Sequence, residues 1–329
     1  MSNNKYNFVV GIDISKSDLD VAEYDGKQYS TLKIKNTKLG IKAYLNKKRF
    51  INNDKNYLFI MEATGVYSLL MADELSKKGF NVAVENPLKI KRFSEMKMIR
   101  AKTDVVDSKS IALYGYEQTP ALYKPKSRNQ RELVKLLKGI EDLDDNLNRL
   151  NNQLETFIID PVQSTLVINS HKSIIKFIGK KKKHLETKLN EMLKEVYPDE
   201  TGRLVKIKGV EKKTAAVILA FFGKFEHFET VKQVVSYIGT NPSIRQSGTS
   251  VKGRGNIDKK GNRFIRKKLY MSALSASRYN PSCMALYSRL TVRGKEFKQK
   301  IVAVMNKLVR QIFAVLKYDR EWEPNYSIR

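Results

Sequence analysis

From Leu133 to Phe157, eight apolar residues (Leu133, Leu136, Ile140, Leu143, Leu147, Leu150, Leu154 and Phe157) recur alternately three and four positions apart. That spacing lines side chains along one face of an α-helix, and four heptads of it commit the stretch to a long helix. Pro161 interrupts the pattern, and a second seam follows through Ile175, Ile178, Leu185, Leu189, Met192 and Val196, broken by Lys182 within Lys180–Lys183. Two arrangements satisfy both seams: an antiparallel helical hairpin within one chain, or a coiled coil between copies. The stretch 126–198 is therefore read as a helical linker, and the globular parts must lie on either side of it.

On the N-terminal side, residues 1–125 alternate strand and helix signals. "YNFVVGIDIS" is a buried strand carrying Asp13 at its end, and "LDVAEYD" and "QYSTLKIKN" follow as shorter strands across an Asp25-Gly26 turn. "LGIKAYLNKKRF" has helical periodicity; "NYLFIMEATG" is an apolar strand ending at Glu62; "VYSLLMADELSKKG" is a helix stopped by Gly79. "FNVAVENP" is a strand closed by Pro87, and "TDVVDSKSIALYGYE" is a helix with Thr103 placed to cap it. The expected class is α/β followed by α. Three strands, helix, strand, helix, strand, helix is the order of an RNase H-like fold, although order alone admits other α/β folds.

On the C-terminal side, residues 199–329 read as a mainly helical domain. "LVKIKGVEKKTAAVILAFFG" is similar to a helix-hairpin-helix element, in which a glycine turn aims backbone N–H groups at a phosphate. Glu211 stands where the second glycine of that turn belongs, so a plain helical hairpin is an equal reading. A loop is expected at 241–263, followed by amphipathic helices in "RFIRKKLYMSALSASRY" and "KIVAVMNKLVRQIFAVLKY". "GRGNIDKKG" contains G-x-G, but no strand precedes it as a dinucleotide site requires.

Charge narrows the function. The 329 residues carry 62 Lys+Arg against 34 Asp+Glu, a formal +28. A folded chain so basic meets a polyanion, because neutralising phosphates releases condensed counterions. Residues 201–329 hold 27 Lys/Arg and 8 Asp/Glu, and 245–268 hold nine basic residues and one acid, Asp258. Arg245, Lys252, Arg254, Arg263, Arg266, Lys267 and Lys268 are thus the expected nucleic-acid contacts. Cys283 is the single cysteine, which excludes an internal disulfide and points to a reducing compartment. The opening "MSNNKYNFVVGID" lacks the layout of a signal peptide, and the longest apolar run, Ala215–Phe222, is too short to span a bilayer. The three histidines are scattered, which disfavours zinc.

Four acids stand where chemistry is expected. Asp13 and Glu62 end apolar strands, and neighbouring strands would bring them to one edge. Asp104 and Asp107 are three apart on a helix and share a face. Converging carboxylates without basic partners raise one another's pKa unless divalent cations neutralise them, and oxygen-only ligands favour Mg²⁺, with Mn²⁺ as substitute. Two such ions are the common solution for phosphodiester chemistry. Singly, the acids have plainer readings: Asp13 capping a turn, Glu62 an exposed strand end, Asp104 and Asp107 paired with Lys102 or Lys109.

Taken in order, "GIDISKSDLDV", "MEATGVY", Asn86-Pro87, "RAKTDVVDSKSIA", "IKGVEKKTAAVILAFFG" and "SYIGTNPSIRQSGTSVKGRGNIDKKGNRFIRKKLYMSA" resemble the IS110 family of bacterial insertion-sequence transposases, the bridge recombinases. The resemblance spans nearly the whole chain. It implies a RuvC-like domain with a D-E-D-D metal site at Asp13, Glu62, Asp104 and Asp107, a helical linker, and a C-terminal transposase domain whose nucleophile falls on Ser247, in "RQSG". It implies donor and target double-stranded DNA, a structured non-coding bridge RNA, and catalytic parts that meet across protomers of a tetramer in the bacterial cytoplasm, at the nucleoid. Ser247 has no His or Asp nearby in sequence to activate it, so activation is expected from the carboxylate–metal cluster. Arg245, Lys252 and Arg254 would hold phosphate. Two rivals remain: a metal-dependent nuclease or junction resolvase that does not use the serine, and a nucleic-acid-binding protein without chemistry.

Overall fold

The computed structural model describes residues 5–46, 57–99, 101, 103–243, 246–247, 251–252, 256–258 and 261–324. The chain divides into two compact units, Met1–Pro125 and Lys126–Arg329.

The first unit is a five-stranded mixed sheet with helices on both faces. β1 (Phe8–Ile14), β2 (Asp18–Tyr24) and β3 (Tyr29–Lys35) form an antiparallel meander; β4 (Tyr57–Glu62) adds to β1 and β5 (Asn81–Glu85) to β4, both in parallel. The order across the sheet is β3-β2-β1-β4-β5. The meander needs only tight turns; Asp25 makes one by accepting from the backbone N–H groups of Lys27 and Gln28. Parallel pairs need crossovers, supplied by α1 (Lys38–Leu45) before β4 and α2 (Val66–Lys77) between β4 and β5. Side chains alternate across β1. Val10, Ile12 and Ile14 join one core with Ile41 and Met71 of α1 and α2. Val9 joins another with Ile90 and Phe93 of α3 (Pro87–Met96) and Ile111 and Tyr114 of α4 (Asp104–Gln118).

One glycine sets how closely α4 lies on the sheet. A Cβ at Gly11 would stand 2.3 Å from both the backbone N of Ala112 and the backbone O of Ser108. Only a residue without a side chain lets the helix axis come this near β1. Thr103 caps the helix, its hydroxyl accepting from the N–H of Val106, which fixes where the first turn of α4 begins.

The second unit opens with α5 (Arg128–Ile159) and α6 (Thr165–Val196), 32 residues each. They pack on each other within the chain as an antiparallel hairpin: Lys182 pairs with Asp144, and Phe157 meets His171 edge-on. The lysine that interrupts the second seam is thus the partner of an acid on the facing helix. Apart from Ile168 near the tip, the buried residues of the two hairpin helices lie at its base. Leu133, Leu136, Leu137, Ile140, Leu189 and Leu193 share one core with α7 (Glu200–Lys206), α8 (Lys212–Phe222), α9 (Val231–Ile238), α10 (Arg263–Tyr279) and α12 (Phe297–Lys317); Cys283 of α11 (Pro281–Val292) closes it. Towards the tip Ile159, Val162 and Leu166 are 71%, 86% and 79% exposed, so the hairpin's apolar pattern outruns what this chain covers.

The apolar run Ala215–Phe222 belongs to α8, buried on every side. Among the described residues no helix is long and apolar enough to cross a membrane. Within 241–263, expected to be loop, two minimal antiparallel ladders form: β6 (Pro242–Ser243) with β9 (Asn256–Ile257), and β7 (Gln246–Ser247) with β8 (Val251–Lys252).

Candidate active site

Asp13 is the penultimate residue of β1 and Glu62 the last of β4. The parallel register runs through Ile12 opposite Met61, so the next residues on each strand are these two acids. They share the carboxyl-end edge of the two central strands. Asp104 and Asp107 occupy the first turn of α4, where the helix dipole favours negative charge. Because Gly11 holds α4 against β1, Asp107 sits within electrostatic reach of both strand acids.

The electrostatics carry the signature of convergence. Burial pushes the Asp13 carboxyl above its ordinary range; Asp107, Asp104 and Asp20 push the same way, against a single hydrogen bond from the Ile14 N–H at 3.0 Å. Burial also raises Glu62, followed by the charges of Asp13 and Asp107. Among the described residues neither Asp13 nor Glu62 has an ion-pair partner, and no three Asp, Glu, His or Cys side chains close into a ligating set. The half-buried Asp13 and Glu62, raised by neighbouring carboxylates and without an ion-pair partner among the described residues, fit a hard divalent cation by donor chemistry.

Two neighbours were not visible in the sequence. Asp20 lies directly across from Asp13 in the β1–β2 ladder and is 7% exposed. Its carboxylate is held by Lys33 of β3 at 3.3 Å, and Asp104 adds to the field that raises the Lys33 ammonium. Only the strand register reveals this pairing, since Asp20 and Lys33 read separately as ordinary polar strand positions.

In the second unit the backbone of Ser247 lies in β7, opposite Val251, and Lys252 lies opposite Gln246. The side chains of Ser247 and Lys252 lie outside the described residues, as do Arg245 and Arg254 altogether. The basic run at the start of α10 is described, and most of it is engaged internally. The Arg266 guanidinium donates to the carbonyls of Ile238 at 2.8 Å and Gly261 at 3.0 Å. Lys267 and Lys268 both bond to Glu141 of α5. Burial works to raise Glu141, but those two ammonium groups outweigh it and hold the carboxyl low. Arg263 is exposed.

The glycine turn before α8 also has an internal explanation. Gly209 has φ +97°, and a Cβ there would stand 2.6 Å from the Ala276 Cβ and 2.8 Å from its Cα. The residue lets the turn pack on α10. Glu211 is the N-cap of α8 and makes no side-chain capping bond.

Comparison with known proteins points the same way as the acids. A family model for the DEDD transposases of IS110, described as "Transposase", matches residues 10–159, and "Transposase IS116/IS110/IS902 family" matches 202–288. The "Pilin gene-inverting protein" of Moraxella lacunata is 28% identical over 326 residues, 95% of this chain and 97% of its own. The protein of that name from Moraxella bovis is 27% identical over 328 residues, with the same coverage. The "Insertion element IS110 uncharacterized 43.6 kDa protein" of Streptomyces coelicolor is 29% identical over 213 residues, 62% of this chain and 50% of its own.

Proposed function

The chain belongs to the IS110 family of transposases, DNA recombinases that act on phosphodiester bonds, and from that premise we propose that it exchanges DNA strands through a serine nucleophile under the guidance of a structured RNA. The observation that carries the reading is the convergence of Asp13, Glu62 and Asp107: burial raises both strand acids, Asp107 pushes both the same way, Asp13 adds to Glu62, and neither strand acid has an ion-pair partner among the described residues.

The family suggests a divalent metal. Asp13, Glu62, Asp104 and Asp107 would hold it as Mg²⁺, or Mn²⁺ in its place, and it would supply Lewis-acid activation and charge neutralisation at the phosphate. The strand order β3-β2-β1-β4-β5, a meander continued by two parallel strands, supports reading the first unit as RNase H-like, of the RuvC type. In the reaction, Ser247 Oγ bonds to the phosphorus as the bond from phosphorus to a deoxyribose oxygen breaks, and that oxygen leaves as a hydroxyl. The serine linkage conserves the energy of the broken bond. Attack by the hydroxyl of another strand reverses the step, joins the new partners and frees the serine. Arg245, Lys252 and Arg254 would neutralise the phosphate, while the region 126–198 would join the two catalytic domains, 1–125 and 199–329. The exposed apolar tip of the hairpin supports assembly of copies, a tetramer in this reading.

RNA dependence is tested with the purified protein. RNA that copurifies is sequenced and then removed with ribonuclease, and strand exchange between two plasmids is scored. Exchange should stop and return when the transcript is restored. Undiminished exchange without RNA would remove the guide from the account and leave a protein-directed recombinase.

A further inference from the structure

The strongest remaining feature lies in the C-terminal part of the second unit. A cleft of about 740 Å³ opens between α11, α12 and the segment 320–323. One wall is a single helical face of α12, residues 303, 306, 307, 310, 311 and 314. The opposite face of α12 is core, with Ile301, Val304, Met305, Leu308 and Ile312 buried.

The charges of this cleft differ from those of α10. Arg289, Lys307 and Arg310 line it and, among the described residues, none of the three has an ion pair or hydrogen bond. The two acids on the lining do not cancel them: Glu321 is taken by Lys206 at 2.8 Å, and Glu323 stands against four cations, Arg320 being the fourth on the lining. The amides between the cations are held rigid. Asn306 Oδ1 accepts from the Thr240 hydroxyl at 2.6 Å, and Gln311 Nε2 donates to the Ser282 hydroxyl at 2.7 Å. Trp322, the only tryptophan of the chain, forms part of the wall, and its indole N–H is shut off from solvent with no acceptor among the described residues.

Uncompensated cations spaced along a preorganised wall are a phosphate-binding device. An aromatic beside them suits a nucleobase, and a cleft of this size admits an unpaired nucleotide, whereas a base inside a duplex cannot reach the wall. We propose that the cleft binds single-stranded polynucleotide, with Arg289, Lys307 and Arg310 on the phosphates and Trp322 against a base. The choice of a polynucleotide rests on the recombinase reading; the residues that line the cleft include neither the four carboxylates nor Ser247. Unpaired DNA and unpaired RNA share this chemistry.

Because Trp322 is the sole tryptophan, its emission reports on the cleft alone. Full-length protein is titrated with oligo(dT) and oligo(rU) of about 12 nucleotides, within the span of single-strand sites. Total binding is followed in parallel by anisotropy of labelled strands. At least one strand type should change Trp322 emission saturably, and which one does so names the source. Lys307→Ala with Arg310→Ala should weaken that response about tenfold and lower the slope of log affinity against log salt by about 0.7 for each phosphate left without its cation. Asp13→Asn should leave the response intact, which separates this site from the fate of the catalytic reading. Arg289→Ala, at an exposed position, serves if the double variant does not fold. Strands that bind by anisotropy without changing Trp322 emission, or a response unaltered in the folded variants, would overturn the proposal.

Discussion

The carboxylates on the first unit's sheet edge and the cations on α10 of the second are both clusters of like charge, and the protein treats them oppositely. Asp13 and Glu62 are half-buried, repel their neighbours and have no ion-pair partner among the described residues. Lys267 and Lys268 converge on Glu141, and Arg266 is consumed by two carbonyls. The first cluster is destabilising as it stands and makes sense if something outside the chain completes it. The second is complete and ties α10 to α5. Charge density in a sequence does not distinguish these cases; the partners do.

The sharpest way to break the comparison is to remove the uncompensated charge. Asp13→Ala or Glu62→Ala should cut strand cleavage by on the order of 10³-fold or more, as for groups acting in one catalytic unit. Retention of near-normal cleavage would return these acids to structural roles. The next largest effect concerns the packing that places Asp107. Gly11→Ala drives a Cβ into the backbone of α4 and should cost about 1–3 kcal/mol, seen as a lower Tm together with loss of cleavage. Gly209→Ala meets the Ala276 backbone at 2.8 Å, a looser clash, but adds a strained φ, so it should destabilise the second unit by a similar amount without altering metal binding by the first.

A smaller effect follows from the sign of the pKa shifts. In the metal-free protein Asp13 and Glu62 hold their protons to higher pH when folded than when unfolded. Stability should therefore fall as pH rises from the ordinary carboxylate range through the raised values, and stay lower above them. Asp13→Asn should flatten that profile and raise Tm at neutral pH, and Mg²⁺ should raise Tm in the wild type but much less in the variant. A Tm that is insensitive to Asp13→Asn would mean the carboxylates do not oppose folding.

The smallest effects concern α10. Lys267→Gln with Lys268→Gln should lower stability by roughly 1 kcal/mol, in keeping with partly exposed pairs, and leave the salt dependence of duplex DNA binding nearly unchanged. Arg263→Gln should instead flatten that slope by up to about 0.9 with little effect on stability. The reverse pattern would make the Glu141 pairs dispensable and the lysines nucleic-acid ligands.

What the sequence disclosed follows from periodicity and element ends. β1 and β4 read as apolar strands with acids at their ends, Thr103 read as the cap of α4, and the two seams read as helices. All of that is local. Partnerships across long separations were not legible: Asp20 against Asp13 requires the strand register, and Glu141 against Lys267 requires the base of the hairpin to dock on α10. Gly209 reads as a turn residue in either account, and only the nearness of Ala276 shows what its missing side chain is for. The cleft beside Trp322 could not be anticipated either, because its cations are scattered along two helices and gather only when those helices pack.

The central claim is that Ser247 and the carboxylates act as one catalytic unit. Its most direct measurement is capture of a covalent protein–DNA adduct on labelled substrate, under denaturing conditions, with Mg²⁺ and the copurifying RNA present. The wild type should form the adduct, and Ser247→Ala, Asp13→Ala and Glu62→Ala should each abolish it, with the Ser247→Ala/Asp13→Ala double variant no worse than either single one. Cleavage and exchange by Ser247→Ala at the wild-type rate would contradict the account and make the protein a metal-dependent nuclease that does not use the serine.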